Sequence, residues 1–122
     1  MPGQKTVLII EDNPYNREIA VTSLEKEDYN VITAEDGIDG LKKIRSRCPD
    51  LVLLDLSLPE LSGWDVVKKL REDEKFRDLP VIALTAHAMA GDRKKAYRNG
   101  CSSYLSKPCR PRDILREVKE FI

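Results

Sequence analysis

The stretch Leu51-Val52-Leu53-Leu54-Asp55-Leu56-Ser57-Leu58-Pro59-Glu60-Leu61-Ser62-Gly63 decides the fold. Four consecutive apolar residues predict a strand buried on both faces, as in a parallel sheet covered on each side, and Pro59 and Gly63 signal the turn that follows. Asp55 thus stands at the strand's C-terminal end. In open α/β sheets ligands bind in the crevice outside those ends, so an acid there is a candidate for chemistry; taken alone it reads equally well as the cap of the next turn.

Towards the N-terminus, Thr6-Val7-Leu8-Ile9-Ile10 predicts a first strand that stops at Glu11-Asp12-Asn13-Pro14, where an acid or Asn can cap a helix and Pro suits its first turn. A helix is expected from 14 to about 27 with Tyr15, Ile19 and Leu24 on its inner side, then a strand over 29–34. Ile38, Leu41, Ile44 and Cys48 line one face of a second helix, which Pro49-Asp50 ends. Towards the C-terminus, a helix over 63–72 carries Trp64, Val67 and Leu70, and a strand over 79–85 ends on Thr85. A strongly polar helix over 88–99 closes at Asn99-Gly100. A short strand over 103–106 runs into Lys107-Pro108, and a last helix from near Pro111 shows Ile114, Leu115, Val118 and Ile122.

Five strands alternating with five helices through short turns predict right-handed βαβ units in an α/β, doubly wound parallel sheet. Periodicity leaves strand order open. The flavodoxin-like order 2-1-3-4-5 is the commoner arrangement for five strands, and it would set strands one and three side by side, bringing Glu11, Asp12 and Asp55 together.

At 122 residues the chain is expected to be one domain, 1–122, without repeats or linkers. Lys plus Arg and Asp plus Glu both count 21, so there is no global field to draw nucleic acid or an anionic membrane. No apolar run approaches the roughly 18 residues of a membrane span, and Met1-Pro2-Gly3-Gln4-Lys5 lacks the core of a signal peptide, so a cytoplasmic location is expected. Cys48, Cys101 and Cys109 form no CxxC pair and are odd in number, which suits a reducing compartment; with His87 they show no zinc-ligand spacing.

The strand ends carry Glu11 and Asp12, Asp55, Thr85 and Lys107, every one polar. Three carboxylates held close repel one another unless a cation is present, and Mg²⁺ suits one or two carboxylates plus a phosphoryl oxygen. An acid nucleophile, a divalent ion, an ammonium and a hydroxyl around one point are the equipment of phosphoryl transfer, with Asp55 as acceptor. Glu11-Asp12-Asn13-Pro14 replaces any Gly-rich loop, which argues against nucleotide or flavin binding.

As an ordered set, Glu11-Asp12, Asp55-Leu56-Ser57-Leu58-Pro59 with Gly63, Thr85-Ala86 and Lys107-Pro108 closely resemble the receiver domains of two-component response regulators, over essentially 5–122. The resemblance implies that Asp55 is phosphorylated by a phosphohistidine of a sensor histidine kinase or histidine phosphotransfer protein. It implies Mg²⁺ held by Glu11, Asp12, Asp55 and the main-chain carbonyl of Ser57, with Asp12 favoured as a direct ligand. Thr85 and Lys107 would contact the phosphoryl group. Tyr104 would be the aromatic switch that follows Thr85, with a half-buried core aromatic as the second reading. A downstream protein effector would then read the face made by the fourth helix, fifth strand and fifth helix. Ser57 and His87 border the path of the hydrolytic water in this family and would set the phosphate lifetime. Such a domain promotes its own phosphorylation and dephosphorylation without being a turnover enzyme.

Cys109 after Lys-Pro and the acid-free Cys101-Ser102-Ser103 depart from the family pattern without touching its chemistry. Arg110, Arg112 and Arg116 form a basic edge that reads as a solvated face or as a dock for an acidic partner. No output domain is expected after Ile122, which leaves a stand-alone regulator, a phosphorelay shuttle or a receiver of a larger chain such as a hybrid kinase, monomeric or weakly dimeric. Two other readings compete. A haloacid-dehalogenase-type hydrolase wants a second Asp where Ser57 stands, and a docking module that works without phosphorylation would be marked by loss of an acid or of the Lys.

Overall fold

β3 (Leu51–Asp55) is buried along its whole length, and the sheet is laid out around it. The computed structural model describes residues 3–58, 61–86 and 91–122. Its strands β1 (Thr6–Ile10), β2 (Asn30–Ala34), β3, β4 (Val81–Thr85) and β5 (Ser103–Ser106) form one parallel sheet in the order β2-β1-β3-β4-β5. The helices are α1 (Pro14–Glu25), α2 (Gly37–Arg47), α3 (Gly63–Glu72), α4 (Asp92–Arg98) and α5 (Pro111–Phe121), with one 3₁₀ turn at Glu74–Phe76.

Side chains of a strand point alternately to the two faces, and here both faces are apolar. Leu8 and Ile10, Val52 and Leu54, Val81 and Ala83 pack with Leu41, Ile44, Val66, Val67, Leu70 and Ala96 of α2, α3 and α4. Val7 and Ile9, Leu51 and Leu53, Ile82 and Leu84 pack with Ala20 and Leu24 of α1 and Ile114 and Val118 of α5. Burying each such Leu, Ile or Val contributes about 1.5–3 kcal/mol relative to exposure. This two-sided demand is why β3 reads as an unbroken apolar run rather than as an alternation.

Helix starts follow from local chemistry. Asn13 accepts from the N–H groups of Tyr15 and Asn16, Asp36 from that of Asp39, and Ser62 from that of Asp65, each cap stabilising its helix by about 1 kcal/mol. Past α4, Gly100 takes the left-handed φ of +103° that closes the helix. Arg71 of α3 fixes the neighbouring turns: its Nε, Nη1 and Nη2 donate to the carbonyls of Gly100, Phe76 and Leu79 at 2.8, 2.7 and 2.7 Å.

The packing departs from the sequence expectation at particular side chains. Tyr15 is 74% exposed, and Ala20, Ser23 and Leu24 form the buried stripe of α1 instead. Tyr15 and Leu24 are two and a half turns apart at about 3.6 residues per turn, which puts them on opposite sides of the helix. Ile38 is also largely exposed, and Cys48 lies outside α2 in a left-handed cap rather than on its inner face. Trp64 packs only partly against the core, with Lys95 Nζ 4.5 Å from its ring centre. The helix expected over 88–99 is seen as α4, and residues 87–90 lie outside the described part of the chain.

Candidate functional site

The register places the polar strand ends side by side. Ile10 is level with Leu54, so Glu11 and Asp55 are next neighbours across β1 and β3; Asp55 is level with Leu84, and Thr85 with Ser106. Glu11, Asp55 and Thr85 are all buried, whereas Asp12 is exposed above them. One carboxylate oxygen from each of Glu11, Asp12 and Asp55 falls within 4.8 Å of the others.

Lys107, just past β5, supplies the positive charge. Its Nζ donates to Glu11 Oε2 at 2.8 Å and to Asp55 Oδ2 at 3.3 Å, and its backbone N–H donates to the carbonyl of Thr85 at 2.7 Å. The Lys107–Pro108 bond is cis. Asp55 Oδ1 accepts from the N–H of Ser57 at 2.9 Å, so the loop after β3 orients the carboxylate. Behind this loop, a Cβ on Gly63 would lie 2.5 Å from the carbonyl of Asp55 and 2.6 Å from Leu56 Cα. Only glycine lets α3 begin this close to the site.

Burial is the main force on the Glu11 carboxyl and pushes its pKa up; the hydrogen bond from Lys107 opposes this, and the charge of Asp55 adds to it. Burial also pulls the Lys107 ammonium down, but its hydrogen bond to Glu11 and the charge of Asp55 outweigh that and hold its pKa above the usual value. The Lys107 ammonium thus pairs with two of the three clustered carboxylates, Glu11 and Asp55, and Glu11 Oε1 is buried without a hydrogen-bond partner among the described residues. An unsatisfied buried carboxylate oxygen is costly. Oxygen-only donors with spare negative charge fit a hard divalent cation.

The remaining predicted residues fall around this cluster. Ser57 is exposed. Tyr104 on β5, level with Ala83, is buried with the α3 and α4 side of the core; its hydroxyl is buried without a partner among the described residues, and the Arg93 guanidinium sits 5.3 Å from the ring centre. Pro59, Glu60 and His87 lie outside the described residues. A groove of about 500 Å³ lined by Glu11, Lys107, Cys109, Ile19 and Ile114 opens beside the cluster between α1 and α5.

Two contributors escaped the sequence reading. Arg17 Nη1 donates to the carbonyl of Glu11 at 2.8 Å while its Nη2 lies 3.6 Å from Glu35, and Arg93 covers Tyr104. For Arg17 the usable signal was its place one turn after the Asn13 cap, which brings it back over the preceding strand end.

A doubly wound 2-1-3-4-5 sheet with acids after β1 and on β3, a hydroxyl on β4 and a lysine after β5 defines a signal-receiver module. The chain belongs to the response regulator receiver domain family, whose sequence model matches residues 7–119, and so to two-component signalling rather than to turnover enzymes. It is 39% identical over 118 residues to the polar-differentiation response regulator DivK of Brucella ovis, covering 97% of this chain and 96% of that protein. Among solved structures it resembles a CheY-like response regulator receiver domain protein of Methanospirillum hungatei JF-1 (29% identity, TM-score 0.89, 97% and 93% of the two chains). It also resembles the receiver domain of sensor histidine kinase PA1611 of Pseudomonas aeruginosa PAO1 (32%, 0.88, 98% of each chain), whose structure has a magnesium ion coordinated in the active-site cleft. Among the described residues no helix is long and apolar enough to cross a membrane.

Proposed function

We propose that this chain is a single receiver domain, 1–122, phosphorylated on Asp55 by a phosphohistidine of a sensor histidine kinase or histidine phosphotransfer protein. The observation that carries the reading is the Lys107 ammonium bridging Glu11 and Asp55, at 2.8 and 3.3 Å, across the ends of β1 and β3. In the transfer an Asp55 carboxylate oxygen bonds to phosphorus as the N–P bond of a phosphohistidine protonated on its other ring nitrogen breaks, leaving a neutral imidazole and an acyl phosphate. Glu11, Asp12, Asp55 and the carbonyl of Ser57 would hold Mg²⁺, which supplies charge neutralisation for the phosphoryl oxygens.

Lys107 releases Asp55 and pairs with the phosphoryl group, keeping its bond to Glu11. Thr85, buried at the end of the next strand, offers a hydroxyl to the same group. Thr85 lies on the strand paired with that of Tyr104, and Lys107 follows Tyr104 by three residues, so their movement alters the packing of its ring, and the α4-β5-α5 face presents the change to a downstream protein effector. Phosphorylation biases a balance between two arrangements by its differential affinity for them. The domain works in the cytoplasm as a monomer or weak dimer. Ser57, exposed beside Asp55, offers only a hydroxyl where a hydrolase would need an acid.

The test is intact-protein mass after incubation with acetyl phosphate, with and without Mg²⁺, beside Asp55→Asn. The expected outcome is one phosphoryl group gained only with Mg²⁺, absent in the variant and slowly lost. Continuous phosphate release without an adduct would assign a hydrolase, and neither adduct nor release would assign a docking module.

A further inference from the structure

The three clustered carboxylates differ in what holds them. Glu11 is fixed by Lys107, and Asp55 by Lys107 and by the N–H of Ser57. The exposed Asp12 carboxylate forms no hydrogen bond or ion pair among the described residues, although one of its oxygens falls within 4.8 Å of an oxygen of each of the others. The position of its Cβ, and so the arc its carboxylate can sweep, is set by the backbone of the link between β1, which ends at Ile10, and α1, which starts at Pro14.

That link is pinned on either side and crossed by one side chain. The Glu11 N–H donates to the carbonyl of Ala34 on β2 at 3.0 Å, and the Arg17 N–H donates to the carbonyl of Asn13 at 3.0 Å. Between these two bonds, the Glu11 carbonyl accepts from Arg17 Nη1 at 2.8 Å. A peptide unit is planar, so holding that carbonyl also orients the Asp12 nitrogen and Cα across the same bond. The Arg17 side chain is only 18% exposed, and its Nη2 lies 3.6 Å from Glu35 just past β2. A planar fork can serve two acceptors at once, which a lysine ammonium cannot do with the same geometry. Glu35 is 77% exposed, so its ion pair adds little; the hydrogen bond from a charged donor to the carbonyl is the stronger contact.

We propose that Arg17 is the positioning residue of the cation site: by holding the Glu11–Asp12 peptide it aims the Asp12 carboxylate at Glu11 and Asp55. This deepens the Mg²⁺ reading above and rests on it for the identity of the ion. Charge and position act here in opposite directions. A guanidinium one peptide away from the acids repels a divalent cation, so if charge alone mattered its removal would tighten binding. Loss of positioning weakens binding instead, because the groups that fix a metal's ligands are worth roughly 10–100-fold in affinity.

The experiment compares the wild-type full chain with Arg17→Gln, Arg17→Lys and Glu35→Gln. Arg77→Gln, whose Arg pairs with Glu74 ahead of β4 at the opposite edge of the sheet, is the control. Mg²⁺ binding is measured by calorimetry, the Asp12 amide by ¹⁵N relaxation in metal-free buffer, and the Mg²⁺ dependence of acetyl phosphate labelling by mass. Arg17→Gln should raise the Kd for Mg²⁺ about tenfold and lower the order parameter of the Asp12 amide, while those of Leu8 and Ile9 stay unchanged. Its labelling should need about tenfold more Mg²⁺ for half-maximal rate and approach the wild-type rate at saturation. Arg17→Lys, which keeps the charge and loses the fork, should fall between the two, and it carries the test should the Gln variant not fold. Glu35→Gln and Arg77→Gln should change the Kd by less than about twofold. Unchanged or tighter Mg²⁺ binding by Arg17→Gln, wild-type affinity in Arg17→Lys, or an equal loss in Arg77→Gln would overturn the proposal. So would weaker binding with an unaltered Asp12 amide. A wild type that binds no Mg²⁺, beside an Asp12 amide loosened in Arg17→Gln, would remove the Mg²⁺ reading and uphold the peptide anchor.

Discussion

Lys107 Nζ lies 2.8 Å from Glu11 Oε2, so the group that closes β5 is tied to the group that closes β1, 96 residues earlier. This contact spans the active edge of the sheet and leaves the cluster short of positive charge, since Asp55 shares the same ammonium and Glu11 Oε1 has no partner among the described residues. Adding a divalent cation should therefore stabilise the fold. At a tenfold excess over Kd the gain is about 1.4 kcal/mol, a few degrees in Tm. Thermal unfolding with and without Mg²⁺ checks this. Asp12→Asn should lose the response while melting no lower than the wild type in metal-free buffer, because it removes a like charge from an exposed position.

Gly63→Ala should damage stability and chemistry together. The added Cβ would meet the carbonyl of Asp55 at 2.5 Å and Leu56 Cα at 2.6 Å. Both are backbone atoms that a side-chain rotation cannot move, so α3 or the end of β3 must shift at a cost of about 1–3 kcal/mol. Urea unfolding measures that cost, and the acetyl phosphate assay should show slower labelling of Asp55. Undiminished labelling in a destabilised protein would separate the packing from the site.

What the sequence made legible follows from where tertiary contacts are forced. Apolar runs that stop on Glu11, Asp55 and Thr85 identify strand ends, and a parallel sheet brings its strand ends to one edge whatever the helices do. Lys107 was readable for the same reason. The partners of Arg17, Arg71 and Arg93 were not, because a cation on a helix is equally compatible with solvent and with a carbonyl or ring on another element. Tyr15 failed through phase: its spacing from Ile19 suits a helix, but its spacing from Leu24 turns it to the opposite side. The inward position of Tyr104 depends on packing between α4 and β5, which no local pattern encodes.

Cys101 gives the protein a pH dependence that can be isolated. Burial pushes its thiol up to about 11 from an ordinary value of 9.0, with the charge of Arg71 opposing. Below pH 9 the thiol is protonated in both the folded and unfolded chains, and its contribution is fully present. From 9 towards 11 the unfolded chain releases the proton while the folded chain holds it, so stability falls as pH rises, by about 2–3 kcal/mol in all. Urea unfolding at pH 8 and 10.5 should show a steeper loss for the wild type than for Cys101→Ala. In thiol labelling of the native protein, exposed Cys48 should react first and buried Cys101 last.

Tyr104→Phe separates the ring of Tyr104 from its hydroxyl. The hydroxyl is buried without a partner among the described residues, and leaving such a group unpaired costs about 1–3 kcal/mol. The ring packs in the core beneath Arg93, a contact worth about 0.5–1 kcal/mol that Phe retains. The variant should therefore be as stable as the wild type or more so by about 1 kcal/mol, whereas Tyr104→Ala should lose about 3–5 kcal/mol to the cavity. Urea unfolding of the three proteins decides the point. A Phe variant weakened as much as the Ala variant would mean that the hydroxyl, and not the ring, anchors this position, and a switch driven by ring packing would then have to be rebuilt around a hydrogen bond.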